Sequence, residues 1–164
     1  MKRVLTVGVF DLLHYGHFDL FRRAKELAGP DGELVVAVQK DEVVTKYKPQ
    51  AKLVYDWETR VKMIRALRFV DDVVPYTDID ESIKGIDFDV WAIGGDQNHA
   101  GFQRAVAWCE ANGKKVIRLS RTEGISPLQI QGGKVLRGKT SGRVIKNDTI
   151  RLFGGNSGAG FVIR

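Results

Sequence analysis

His14 and His17 lie three residues apart with Gly16 between them. They close the run Gly8-Val9-Phe10-Asp11-Leu12-Leu13-His14-Tyr15-Gly16-His17, where a β-branched stretch gives way to a helical pattern. Two imidazoles at such a turn can donate hydrogen bonds to phosphate oxygens. A helix start adds unsatisfied N–H groups and the positive end of the helix dipole. Gly16 lets a ligand come close to the backbone. Two other readings exist for a bare histidine pair: solvated turn residues, or half of a metal site. No Cys or Glu nearby is spaced to complete the second. Asp11, the nearest carboxylate, either orients the turn or touches a metal ion through its water shell.

Three further clusters carry chemistry. Gly94-Gly95-Asp96 ends an apolar run. Its glycines admit a base or ribose, and Asp96 can accept from a hydroxyl or an exocyclic amine. In Arg121-Thr122-Glu123-Gly124-Ile125-Ser126, Arg121 offers a bidentate fork to phosphate. Thr122, Ser126 and the N–H groups of Gly124 and Ile125 form a second cradle at a helix start. Lys46 and Lys48 fall in a polar segment, Asp41–Leu53, where a lysine can fold over an α-phosphate.

These clusters need elements to hold them. The pattern predicts strands at 3–8, 34–38, 72–75, 90–93 and 115–119. Helices are predicted at 15–28, from 55 or 56 to about 67, and at 99–112, with a short helix or turn at 80–85. Ser126 and Pro127 suit the cap and first position of a last short helix. Alternating strands and helices predict an α/β fold, a Rossmann-like doubly wound sheet of five parallel strands. In such sheets ligands bind beyond the carboxyl ends of the strands, where residues 8–17, 94–99 and 121–126 fall.

The first cluster resembles the signature of the HIGH-type nucleotidyltransferases, and Arg121–Ser126 resembles the second signature of the cytidylyltransferases. The resemblance spans about residues 2–130, and is greatest to the glycerol-3-phosphate cytidylyltransferase family. It implies transfer of CMP from CTP to a small phosphorylated acceptor with loss of pyrophosphate, Mg2+ as cofactor, and a homodimer. It makes His14, His17, Lys46 and Arg121 the catalytic candidates. Gly8, Val9, Phe10, Asp11, Gly16, Gly95, Asp96, Thr122, Gly124, Ile125 and Ser126 become nucleotide-binding candidates. Lys48, Arg60 and His99 become acceptor-binding candidates, Arg60 because it matches the arginine of the family's Glu-x-Arg segment. Asp71 matches an acidic family position and is expected to be structural. The chain departs from the family at Val9 and Pro127, where threonines are usual, and after Asp96, where Gln97-Asn98-His99 and Arg104 suggest a different acceptor. The rival activity is an adenylyltransferase of the same fold, such as FAD synthetase. The non-enzymatic rival is a nucleotide or polyanion binder.

Composition sets the remaining bounds. The chain has 164 residues, 43% hydrophobic and 28% charged, which suits one ordinary globular domain. The short apolar run 4–10 ends in Asp11, too soon for a signal peptide, and no stretch is long enough to span a membrane. A cytoplasmic location is expected. Cys109 is the only cysteine, so an intramolecular disulfide is excluded. The formal net charge is +6. Residues 1–130 carry 19 Lys and Arg against 19 Asp and Glu, and residues 131–164 carry 7 against 1. The basic excess is therefore a property of residues 131–164, a Gly-rich extension of unknown role, and gives no reason to expect nucleic acid at the domain 1–130. Short strands at 144–145, 150–153 and 161–163, and a hairpin docked on a partner subunit, are the expectation for the extension.

Overall fold

The computed structural model describes residues 1–47, 49–50, 52–95 and 97–120, with the backbone of 130–131 and 134–135. The first strand, β1 (Arg3–Gly8), is buried from Val4 onward. Along it Val4 faces one core and Leu5 the other, as the two-residue period of a strand requires. β2 (Glu33–Gln39) repeats the pattern, with Leu34, Val36 and Val38 on one side and Val35 and Ala37 on the other. Both strands are therefore covered on both faces, which is why they read as continuous apolar runs.

The sheet has the order β3-β2-β1-β4-β5 and every pairing is parallel. β3 is Asp72–Tyr76, β4 is Val90–Gly94 and β5 is Lys115–Leu119. Helices α1 (Tyr15–Ala28) and α3 (Trp57–Arg65) cover one face through Phe21, Ala24, Val61 and Ile64. The other face is covered by α4 (Ile79–Ser82), the 3-10 turn Ile83–Gly85 and α5 (Ala100–Ala111). Trp91 and Cys109 are fully buried in that second core.

α1 has the predicted limits. α3 begins at Trp57 because Asp56 caps it, accepting from Thr59 N at 2.8 Å. The polar segment expected over 41–53 opens instead as a helix, α2 (Asp41–Tyr47). Val43 and Val44 give it one buried side, while its acidic first turn and Lys46 in its last turn suit the helix dipole. Asp71 is structural, as expected: Lys25 Nζ and Leu34 N both donate to its Oδ2 at 2.7 Å.

The topology reverses direction between β1 and β4. β1 pairs with β2 along its whole length, from Arg3–Glu33 to Gly8–Val38. Against β4 it pairs only at Val4–Val90 and Leu5–Trp91. The two central strands thus part toward their carboxyl ends, which is where a doubly wound sheet holds its ligand. No helix among the described residues is long and apolar enough to cross a membrane.

The chain divides into two compact units, Met1–Pro127 and Leu128–Arg164. In the second, β6 (Ile130–Gln131) and β7 (Lys134–Val135) form an antiparallel pair. The helix expected after Ser126 and the strands expected at 144–145, 150–153 and 161–163 lie outside the described residues.

Candidate active site

A cleft of about 1040 Å3 opens where β1 and β4 part. It has room for a nucleoside triphosphate and a small second ligand. Gly8, Val9, Phe10, Asp11, His14, Gly16 and His17 all contribute to its wall, as do Gly95 and His99. Gln97 bridges the parted strands, its Nε2 donating to Val7 O at 3.3 Å.

His14 is the N-cap of α1, and its Nδ1 accepts from Gly16 N at 3.1 Å. That bond puts the proton of the neutral ring on Nε2, which makes Nε2 a donor. The rings of His14 and His17 stack with centroids 3.9 Å apart. Phe10 meets His17 edge-on at 5.2 Å from below. Burial pushes the His17 pKa down to about 4, helped by the His14 charge and opposed by the Leu12 carbonyl. His17 is therefore neutral at pH 7, and its Nδ1 is buried without a well-formed hydrogen bond.

The glycines around the pair do more than admit a ligand. A Cβ on Gly16 would come within 2.9 Å of the His14 ring, and a Cβ on Gly8 within 2.7 Å of the Phe10 ring. Phe10 itself has φ +54, a left-handed conformation rare outside glycine and typical of functional turns. It is 5% exposed, and so a support for His17 more than a ligand contact.

Asp11 stands close to the histidines, yet both its oxygens are engaged. They accept from Val54 N and Tyr55 N at 2.9 to 3.1 Å. Of the two readings of Asp11, the orienting one is the one its contacts support. No group of three or more metal-binding side chains occurs among the described residues.

Arg60 corrects an expectation. The family match predicted a side chain facing an acceptor phosphate, but its guanidinium is wholly buried beneath the turn. It donates to Val9 O, to Gln39 O at 2.9 Å and to Asp41 Oδ1. Trp57 N donates to the other Asp41 oxygen at 2.9 Å, and Trp57 Nε1 donates to Val38 O at 3.1 Å. The start of α3 thus ties together the phosphate-type turn, the end of β2 and the start of α2. The chain puts Arg60 on the inward side of α3, between Val61 and Trp57, so its charge has nowhere to go but these acceptors.

Lys46 sits on the last turn of α2, with its ammonium 5.0 Å from the Tyr47 ring. His99 precedes α5 and packs edge-on against Phe102 at 4.6 Å. Lys48, Asp96, Arg121, Thr122, Gly124, Ile125 and Ser126 lie outside the described residues. Of the segment leading to Arg121, Ser120 lines the cleft, and Arg23 holds its carbonyl at 2.7 Å. Gln97 was singled out in the sequence, but Arg23, Tyr76 and Asp78, which also line the cleft, were not. Their signal was their place at strand and helix ends, which is visible only once the strand order is known.

The cytidylyltransferase-like family profile matches residues 5–131. The glycerol-3-phosphate cytidylyltransferase of Staphylococcus aureus is 40% identical over 135 residues, 80% of this chain and 93% of that enzyme. This chain belongs to the cytidylyltransferase-like family. It is a nucleotidyltransferase by that membership. The FAD synthase of Thermococcus kodakarensis is 46% identical, but over 98 residues, 58% of this chain and 63% of that one. A solved structure, the lipopolysaccharide core biosynthesis protein of Thermoplasma volcanium, superposes with a TM-score of 0.63 at 28% identity. It matches 75% of this chain and 99% of its own. The cytidylyltransferases thus share more of the chain, and the FAD synthases share a shorter stretch at higher identity.

Proposed function

We propose that this protein transfers CMP from CTP to a small phosphorylated acceptor, glycerol 3-phosphate or another phosphorylated alcohol or amine. An acceptor phosphate oxygen bonds to the α-phosphorus as the bond to the β-phosphate oxygen breaks. The products are a CDP-linked compound and pyrophosphate. The observation that carries the reading is the stacked His14–His17 pair at the start of α1, in the cleft where β1 and β4 part.

Catalysis here is positioning and charge stabilisation, with no covalent enzyme intermediate. His14 donates from Nε2 to the triphosphate. His17, neutral and desolvated before the nucleotide binds, takes up a proton beside the triphosphate and holds charge that develops as the bridge breaks. Lys46, in the last turn of α2, is the candidate to fold over the α-phosphate, with Lys48 and Arg121 assigned phosphate roles from the sequence alone. Gly95 and Asp96 take the nucleoside. No group of three metal-binding side chains occurs among the described residues, and magnesium carried by the nucleotide would supply the neutralisation of phosphate charge. In this proposal the enzyme works in the cytoplasm as a homodimer.

The longer match to cytidylyltransferases favours CTP, and the higher local identity to FAD synthases keeps ATP as the second reading. Pyrophosphate release with CTP, ATP, GTP and UTP, each against a panel of phosphorylated acceptors, separates them. Release with CTP and a small acceptor is the expected result. Release only with ATP and a flavin phosphate would replace the proposal with the second reading.

A further inference from the structure

Tyr47 is the last residue of α2, and Asp78 stands at the N-cap position of α4. Both line the cleft. The Tyr47 hydroxyl donates to Asp78 Oδ1 and so ties together two elements that lie 31 residues apart in the chain. Tyr47 is 60% exposed, and a hydrogen bond made in reach of water adds little to stability. An aspartate at an N-cap ordinarily accepts from the first-turn N–H groups of its own helix. Asp78 makes no such bond, and its carboxylate goes to Tyr47 instead. A cap forgone for a surface contact points to a role outside stability.

Lys46 supplies that role. It precedes Tyr47 in the last turn of α2, and its ammonium lies 5.0 Å from the centroid of the Tyr47 ring. Tyr47 is part of the cleft wall, and Lys46 is not. A lysine stem is flexible, and an untethered ammonium spends most of its time in water. A ring beneath the ammonium narrows that freedom, and an exposed cation–π contact is weak enough to be given up to a phosphate. The ring can do this only if it is itself held, and the bond to Asp78 holds it. That bond also pushes the phenol pKa up, against the opposing Lys46 charge, so the hydroxyl stays protonated and keeps donating.

We infer that Tyr47 is the positioning residue for Lys46, its hydroxyl anchored on Asp78 so that its ring keeps the lysine ammonium at the rim of the cleft. The inference rests on the nucleotidyl-transfer reading, in which Lys46 folds over the α-phosphate, and adds the device that places it. Before the nucleotide enters, the ammonium rests on the ring. When the triphosphate is in the cleft, its greater negative charge draws the ammonium off the ring over a short path.

The test uses the whole chain with magnesium, CTP and ATP. Pyrophosphate release gives kcat, and calorimetry without acceptor gives triphosphate affinity. Tyr47→Phe keeps the ring and releases the anchor, and should lower kcat by about three- to tenfold and weaken triphosphate binding by about twofold. Asp78→Ala releases the anchor from the other side and should cost the same, and the double variant should cost no more than either. Both variants should melt with the wild type, since the bond is exposed and Asp78 caps nothing. The deciding step is the Lys46→Met background, where Tyr47→Phe should change neither kcat nor triphosphate affinity. A purely structural role would lower both in either background. Wild-type kcat and affinity in Tyr47→Phe, a loss that persists beside Lys46→Met, or a loss matched by a fall in melting temperature would overturn the inference. A wild type that turns over ATP alone would change the nucleotide of the reading, and the same cycle run with ATP would still decide the role of Tyr47. A wild type that neither binds nor turns over a triphosphate would overturn the reading and this inference together.

Discussion

The imidazoles of His14 and His17 are stacked, with centroids 3.9 Å apart and planes 27° from parallel. Two rings so placed cannot both carry a proton cheaply. His14 is held by Gly16 N at the helix start, and His17 is buried against Phe10, so His17 is the one kept neutral. A triphosphate entering the cleft reverses that balance, because a nearby polyanion favours the protonated ring. Nucleotide binding between pH 5 and 7 should therefore take up protons. Calorimetry in two buffers of different ionisation enthalpy measures the number directly. His17→Gln should abolish most of the uptake, and an unchanged uptake in that variant would assign the proton elsewhere.

Replacing His17 with alanine should lower turnover by at least about a hundredfold, the scale of losing one positioned transition-state donor. Steady-state pyrophosphate release measures it. Near-normal turnover would remove His17 from the mechanism.

The same depressed pKa sets a stability window. The unfolded value is 6.5 and the folded value about 4. Between them the unfolded chain binds more protons than the folded one, so stability falls as the pH drops from 6.5 toward 4. The full difference corresponds to roughly 3 kcal/mol. Urea denaturation at pH 7 and at pH 4.5 should show this loss in wild type. His17→Gln should flatten that part of the profile.

Arg60 gives a different kind of prediction, because its role is to hold elements rather than substrate. Arg60→Met leaves the Asp41 carboxylate and the Val9 and Gln39 carbonyls without their donor. Arg60 is buried but the Asp41 side chain is 36% exposed, so the loss should be smaller than for a fully buried pair, about 1–3 kcal/mol. Arg60→Lys should recover little, since one ammonium cannot reach all three acceptors that the guanidinium spans. Denaturant midpoints of both variants test it. A lysine variant with wild-type stability would mean that one of the three contacts suffices.

What was legible in the sequence, and what was not, follows from how far each signal reaches along the chain. The five strands and the long helices were readable because burial on both faces and the i, i+3, i+4 pattern are local. The His14–His17 turn was readable for the same reason, since its capping and its glycine lie within four residues. Arg60 was misplaced because a buried arginine on a helix start looks like an exposed one. Only the fold brings Val9, Gln39 and Asp41, from 51 to 19 residues away, around its guanidinium. α2 was hidden by its charges, which mask the two valines on its inner side. Tyr76 and Asp78 had no local signal at all. Their significance depends on β3 ending beside the cleft, and that depends on strand order.

Gly16→Ala separates fold from function most cleanly. Gly16 is the second residue of α1, where alanine's advantage over glycine is less than the about 1 kcal/mol of a helix interior, so on propensity alone the change should stabilise α1 slightly. The added Cβ would lie 2.9 Å from the His14 Cε1 and 3.1 Å from its Nδ1. The atoms that must give way are the far end of one side chain, so the fold accommodates the change by moving the ring. That ring is the one the site depends on. Moving it breaks the bond from Gly16 N, frees the other tautomer and spoils the stack on His17. The expected variant melts at or above the wild-type temperature and loses about tenfold or more in turnover, since small misplacements of a catalytic group cost that much. Thermal denaturation and pyrophosphate release on the same preparation supply both readings. A variant that is both stable and fully active would show that the His14 ring can be displaced without consequence, and that the stacked geometry is not what the chemistry uses.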